Sequence, residues 1–218
     1  MSTTPVNPTD TISSAPVHPS RSARILAWAT PPVLVVVVLL HRTDPIEAME
    51  LAGDTTTWIW IHVALLGALV LLAHTVRHLL VGVPGRAAAL ARTLLPVALV
   101  TYAAFDSLVG LGTGVLVERA ERLGPDAATL VEHWWSVPMP ISAISAVAQV
   151  TWVVVLAATA VARSSAAAPR GLVPVLVALA ATFPLLHVRP IGLIPAGLLA
   201  AALWLSERRR SEDGSVRC

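Results

Sequence analysis

Asp106 is the residue in this sequence with the most chemistry open to it. It stands near the middle of Leu94–Val117, a run long and apolar enough to cross a bilayer. Burying an ionisable group at such depth costs at least about 2.5–3.5 kcal/mol on insertion scales, so the position marks a functional site by default. At helical spacing, Tyr102, Asp106, Gly110, Thr113 and Gly114 share one face. Gly110 and Gly114 form a GxxxG, whose small residues allow another helix to approach closely. That face is therefore expected to point into a helix bundle and to carry the carboxylate with it. A second polar stripe, Ser142, Ser145, Gln149 and Trp152, recurs in a later apolar run. Gln149 falls at a depth comparable to Asp106, so the two side chains are expected to meet. No Arg or His is expected at that depth, which favours the neutral acid. A neutral acid suits three roles: an inert packing group, a proton or cation carrier, and a general acid in a pocket walled by Tyr102 and Trp152. The residues expected to line a polar path or bind substrate are Tyr102, Asp106, Thr113, Ser145, Gln149 and Trp152, with Asp106 the candidate catalytic residue.

The histidines form a second constellation. His41, His62, His133 and His187 are each expected within about a turn of one membrane face, with Asp44, Glu47, Glu50, Asp54 and Glu132 in the same loops. Imidazoles beside carboxylates suit zinc, copper or another first-row ion, which makes these four the candidate metal ligands. Haem held by His62 and His187 is a further alternative. No HxH or HExxH spacing ties the four together, and the expectation is that no cofactor is bound. His74 and His78 stand four apart on one helix face, but two imidazoles alone make a weak chelate, and interfacial anchoring is the simpler reading. The single cysteine, Cys218, excludes any internal disulfide or cysteine-based cluster. There is no Walker A motif, no GxSxG, and no Asp-rich diphosphate motif. Gly110-x-Gly112-x-Gly114 follows an apolar helix rather than a strand, so it is not a dinucleotide loop.

The elements that must position these groups are long apolar helices. The 218 residues are 56% hydrophobic and only 13% charged, against about a quarter charged in a soluble domain. Six spans are expected, at about 25–41, 58–81, 94–117, 141–162, 172–187 and 191–205. Residues 1–24, rich in Ser, Thr and Pro, read as a disordered tail, and 207–218 as a basic one. Pro31 and Pro32 fall inside the first span and should kink it. Asp44-Pro45-Ile46-Glu47 has the form of a helix start, so a short surface helix is expected over 45–52, stopped by Gly53. A second is expected over 126–137, after Gly124-Pro125, with Leu130, Val131, Trp134 and Trp135 on one side. All fifteen cations are Arg. Eleven of them (21, 24, 77, 86, 92, 163, 170, 208, 209, 210 and 217) fall in the tails and in the loops between spans two and three and spans four and five; four (42, 119, 122 and 189) fall in the other loops. The positive-inside rule then places both termini in the cytoplasm and both surface helices outside. The net charge of +2 comes from these flanking arginines and is no nucleic-acid signal.

The stretches TYAAFDSLVGLGTGVL (101–116) and LLHVRPIGLIPAGLLAAALWL (185–205) resemble segments of small six-helix integral membrane proteins of GC-rich actinobacteria, an uncharacterised group. The all-arginine, alanine-rich composition agrees with a GC-rich genome. The resemblance implies the helix count and carries no functional residues. The fold class expected is all-α: a polytopic bundle of six transmembrane helices with two short extracytoplasmic surface helices, in a bacterial inner membrane. The bilayer is the expected partner, with a homodimer through Gly110 and Gly114 as a further option and no nucleic acid. Three function classes fit: a small permease-like transporter with a mid-membrane Asp/Gln site, an intramembrane enzyme on a lipid or isoprenoid, and a non-catalytic subunit docking a partner through its outer helices.

Overall fold

The structure is a computed structural model; it describes residues 19–41, 47–136, 141–166, 168–186 and 190–215. Among these residues it is all-α. The first helix, α1 (Arg21–Leu40), starts four residues before the expected span, because Ser20 caps it: its Oγ accepts from the Ala23 N–H at 3.2 Å. Pro31 and Pro32 lie inside α1. Pro31 has no N–H for the carbonyl of Ala27, and the Thr75 hydroxyl approaches that oxygen at 3.4 Å. Thr30 and Thr75 meet through their hydroxyls at 2.7 Å, so the helix interrupted by proline is tied to its neighbour where its own ladder is broken.

That neighbour is α2 (Thr55–Leu79), whose last turn is closed by Arg92: the guanidinium donates to the carbonyls of Leu80 and Val83, each at 2.7 Å. Next, α3 (Arg86–Asp106) passes through a π-helical segment, Ser107–Gly112, into α4 (Thr113–Leu123). The whole run spans 38 residues; it starts at Arg86 rather than Leu94, and beyond Val117 it runs on as a polar helix to Leu123, up to the expected Gly124-Pro125 stop. Gly124, at φ 95°, ends it in the left-handed region that favours glycine. A short helix α5 (Pro125–Ser136) follows, then α6 (Ile141–Ser165), α7 (Leu172–Thr182) with a 3₁₀ turn to Leu185, and α8 (Leu193–Ser215).

Four helical stretches are long and apolar enough to cross a membrane: Arg21–Leu40, Thr55–Leu79, Arg86–Leu123 and Ser142–Ser165. Leu172–Leu185 is apolar but shorter. In α8 the apolar part ends at Leu205, and the helix runs on through the polar stretch expected to be a tail.

The packing order closes a ring. Helix α1 lies on α2, α2 on α3, α3 on α6, α6 on α7, α7 on α8, and α8 returns to α1. The interior is one apolar cluster that includes Leu34, Leu69, Leu72, Leu95, Trp152, Leu156, Leu176 and Leu203. The outside is apolar too: Val36, Val70, Val100, Val150, Val161 and Val177 are each more than half exposed. Helices that are apolar on both faces belong in a non-aqueous surround. At the end of the ring where α1 starts, Arg24 pairs with Glu207 at 2.9 Å, and His74 bonds the Ala23 carbonyl at 2.9 Å.

The opposite end is capped. The expected helix over 45–52 is a single 3₁₀ turn, Ala48–Leu51, with residues 42–46 outside the described set. Gly53 ends it at φ 79°. Glu132 of α5 accepts from the N–H groups of Ala48 (3.0 Å) and Met49 (2.6 Å), and Glu121 of α4 accepts from Gly53 at 2.7 Å. Beneath these bonds Leu51, Trp58, Val117, Ala120 and Val131 form a second small core. The expected single apolar side of α5 is split in two. Val131 and Trp135 pack inward, while Leu130 stands 71% exposed.

Candidate functional site

Between the main core and this cap lies a cavity of about 210 Å³, lined by His41, Trp58, His62, Phe105, Asp106, Val109, Gly110, Trp135, Gln149 and Pro184. Its centre is the approach of His62 Nε2 to Asp106 Oδ1 at 3.9 Å. Both side chains are almost completely buried. This corrects the expectation that no His shares the depth of Asp106. The physical reason is register. A Cβ on Gly110 would fall on the His62 ring, and one on Gly114 would meet Ile59 Cγ1 at 2.7 Å. Only glycine lets α2 approach this closely, and the approach draws His62 to the level of Asp106. The close helix contact expected of the GxxxG is thus made within the chain, by α2. A second copy would have to displace α2 to use it.

The π-helical segment begins at the residue after Asp106, and such segments widen the turn and free backbone groups. Here the Gly110 carbonyl accepts from Trp58 Nε1 at 2.7 Å. The carbonyl of Trp58 in turn lies 2.8 Å from His62 Nδ1. A carbonyl only accepts, so Nδ1 carries the proton, and in the neutral ring Nε2 is left as a lone pair facing Asp106. The 3.9 Å between Nε2 and Asp106 Oδ1 is too far for a direct hydrogen bond. Asp106 Oδ2 is buried and has no hydrogen-bond partner among the described residues. A buried carboxyl oxygen left in this way costs free energy unless a donor reaches it.

The residues expected to form a polar path separate into two groups. Asp106 and Gln149, expected to meet, line the same cavity, and Gln149 Nε2 donates one N–H to Ser145 Oγ at 3.2 Å. Ser145 supports Gln149 from one turn away. Tyr102 and Trp152 are buried in the main core rather than at the cavity. Phe183 stacks on Trp152 with ring centroids 5.4 Å apart and meets Tyr102 edge-on at 6.2 Å. Neither Tyr102 nor Trp152 lines the cavity. Thr113 is buried, its hydroxyl has no hydrogen-bond partner among the described residues, and it lies outside the cavity lining. Ser142 is exposed.

Of the four histidines considered as ligands, the fold joins His41 and His62, with ring centroids 5.2 Å apart and Trp58 packed against both. His133 is exposed on α5, and His187 lies outside the described residues. No group of three or more His, Cys, Asp or Glu side chains among the described residues is placed to hold a metal ion. His74 and His78 turn to different partners, the Ala23 carbonyl and, at 3.9 Å, Glu207. Trp58, Phe105 and Trp135 were missing from the expected site. Trp58 had a usable signal, since it stands four residues before His62 on one face of α2. Comparison with protein-family models, characterised proteins and solved structures finds no match to this chain.

Proposed function

We propose that this chain is a multi-pass membrane protein of permease-like character whose solute-handling pocket is the His62–Asp106–Gln149 cavity. The observation that carries this reading is the Asp106 carboxyl: buried, with Oδ2 unpaired among the described residues, lining a cavity and 3.9 Å from the His62 imidazole. A packing acid would be expected to close its hydrogen bonds on its own helix or its neighbours. This one leaves Oδ2 without a partner among the described residues, and the residue borders a cavity of about 210 Å³. Six crossings with both termini cytoplasmic are the arrangement we favour. The closed ring of α1, α2, α3, α6, α7 and α8 supports it, as does the eleven-to-four arginine asymmetry. The cap of α4, α5 and the Ala48–Leu51 turn then lies on the extracytoplasmic side, and the pocket opens toward the outer leaflet.

The test is Asp106→Asn at matched expression in the native host, read by metabolite uptake and by total lipid profile. A changed uptake profile with unchanged lipids is expected. A changed lipid profile with unchanged uptake would transfer the pocket to lipid chemistry. If neither moves, the pocket has no solute role, and docking of a partner through the cap becomes the reading to pursue.

A further inference from the structure

The end of α2 and the start of α3 carry positive charge that their own sequence does not balance. No Asp or Glu lies between Asp54 and Asp106, whereas Arg77, Arg86 and Arg92 all fall around the turn that joins the two helices. The acid that α8 brings to this end of the ring, Glu207, pairs with Arg24 at 2.9 Å. Arg92 donates to the carbonyls of Leu80 and Val83, which leaves its charge standing. Arg77 is exposed in the last turn of α2, and its guanidinium has no ion pair or hydrogen bond among the described residues. Beside it runs a groove of about 240 Å³ between the two helices. Val70, His74 and Arg77 line it from α2, and Leu95, Pro96 and Leu99 from α3. The groove exists because α3 packs mainly on α6 and far less on α2. Arg77 is the one residue of permanent charge in its lining; His74 donates Nε2–H to the Ala23 carbonyl at 2.9 Å. At 1.5 Å per residue, Val70 lies about 10 Å from Arg77, toward the middle of α2. The groove is therefore charged at its surface end and apolar at its deep end.

We propose that this groove binds one anionic phospholipid, with its phosphate on Arg77 and an acyl chain along Val70 and Leu99. The inference needs only that the ring of helices lies in a bilayer, and it is independent of what the His62–Asp106–Gln149 cavity holds. A phospholipid has the same order as the groove, charge at the surface and hydrocarbon beneath. A guanidinium presents a planar fork of donors that matches two phosphate oxygens. Basic pockets between membrane helices on the cytoplasmic side hold anionic headgroups in this way, and the arginine asymmetry used for the proposed topology puts this end of the ring on that side. A zwitterionic lipid offers the same phosphate but adds a cation. No acid lines the groove to receive that cation, and Arg77, Arg86 and Arg92 repel it. The site therefore favours a headgroup of net negative charge.

The experiment uses the full-length protein in dodecyl maltoside micelles, titrated separately with dioleoylphosphatidylglycerol, dioleoylphosphatidylcholine and glycerophosphate, with bound molecules counted by native mass spectrometry. Saturable retention of one phosphatidylglycerol is expected, with a preference of about fivefold or more over phosphatidylcholine and no retention of glycerophosphate. Arg77→Gln is expected to abolish the preference. Arg122→Gln, which removes the same charge at the capped end of the ring, is expected to keep it. Val70→Trp, at an exposed position, fills the deep end of the groove and is expected to weaken retention of phosphatidylglycerol without changing charge. Equal retention of the two lipids overturns the proposal. So does an equal loss of preference in R77Q and R122Q, because net charge rather than a site would then hold the lipid. Glycerophosphate retained as strongly as phosphatidylglycerol overturns the lipid assignment in favour of a free phosphate. Undiminished retention by a folded V70W protein overturns the groove as the site. Should R77Q or V70W not fold, the three titrations of the wild-type protein decide alone.

Discussion

At the scale of single residues, the site depends on a glycine as much as on the acid. Gly110 sits against the His62 ring so closely that no side chain fits between them, whereas Gly112, two residues on, meets only the Ser107 carbonyl at 3.4 Å. The two glycines therefore make an internal control. Gly110→Ala is expected to push the imidazole off Asp106 and to cost about 1–3 kcal/mol by overpacking. Gly112→Ala is expected to be neutral or to stabilise by up to about 1 kcal/mol, as alanine does in a helix interior. Thermal unfolding in detergent measures both. Equal destabilisation by the two would show that the His62–Gly110 contact does not set the helix approach. The pairing of Trp58, Gly110 and His62 is also residue-scale information, because it fixes the tautomer that faces the acid.

At the scale of elements, the feature to explain is how an irregular turn comes to be held on the second core. The Ala48–Leu51 turn is too short to hold itself together, since one turn of 3₁₀ helix offers few internal bonds. Glu132 supplies the acceptors that its first N–H groups lack. Glu132→Ala is expected to cost about 1–2 kcal/mol, by loss of this capping carboxylate. It should also raise amide hydrogen exchange across 47–54 while exchange in the middle of α2 and α6 stays unchanged. Glu132→Gln, which keeps one acceptor, should fall between. Exchange in 47–54 that does not respond to Glu132→Ala would mean that the turn is held by its apolar contacts alone. The π-helical segment belongs to the same scale: it widens α3 at the point where the indole of Trp58 needs a backbone acceptor.

At the scale of the whole molecule, the ring of helices with valines on its outer face calls for a bilayer, and its orientation can be checked with the chain's own chemistry. Cys218 is the only cysteine. In intact cells a membrane-impermeant maleimide is expected to leave it unlabelled, and permeabilisation should expose it. With Cys218→Ser as background, Ala128→Cys on α5 is expected to label in intact cells. Labelling of Cys218 from outside would invert the proposed topology.

Much of this architecture was legible in the sequence, because the properties involved are local. Apolar run length, flanking arginines, and the Gly124-Pro125 and Gly53 stops need no knowledge of distant residues, and they pointed to an all-α chain with several long apolar helices. The buried face of Tyr102, Asp106, Gly110, Thr113 and Gly114 was legible for the same reason: helical periodicity is a property of one segment. The site itself was only half legible. Asp106 and Gln149 could be named, but His62 was assigned to the wrong depth, and Tyr102 and Trp152 to the wrong surroundings. Depth within a bundle depends on how two helices slide past each other, and one segment does not contain that information. The tertiary structure decided it through the two glycines, which let α2 settle against α3 and α4 at one register and bring an imidazole to the carboxylate.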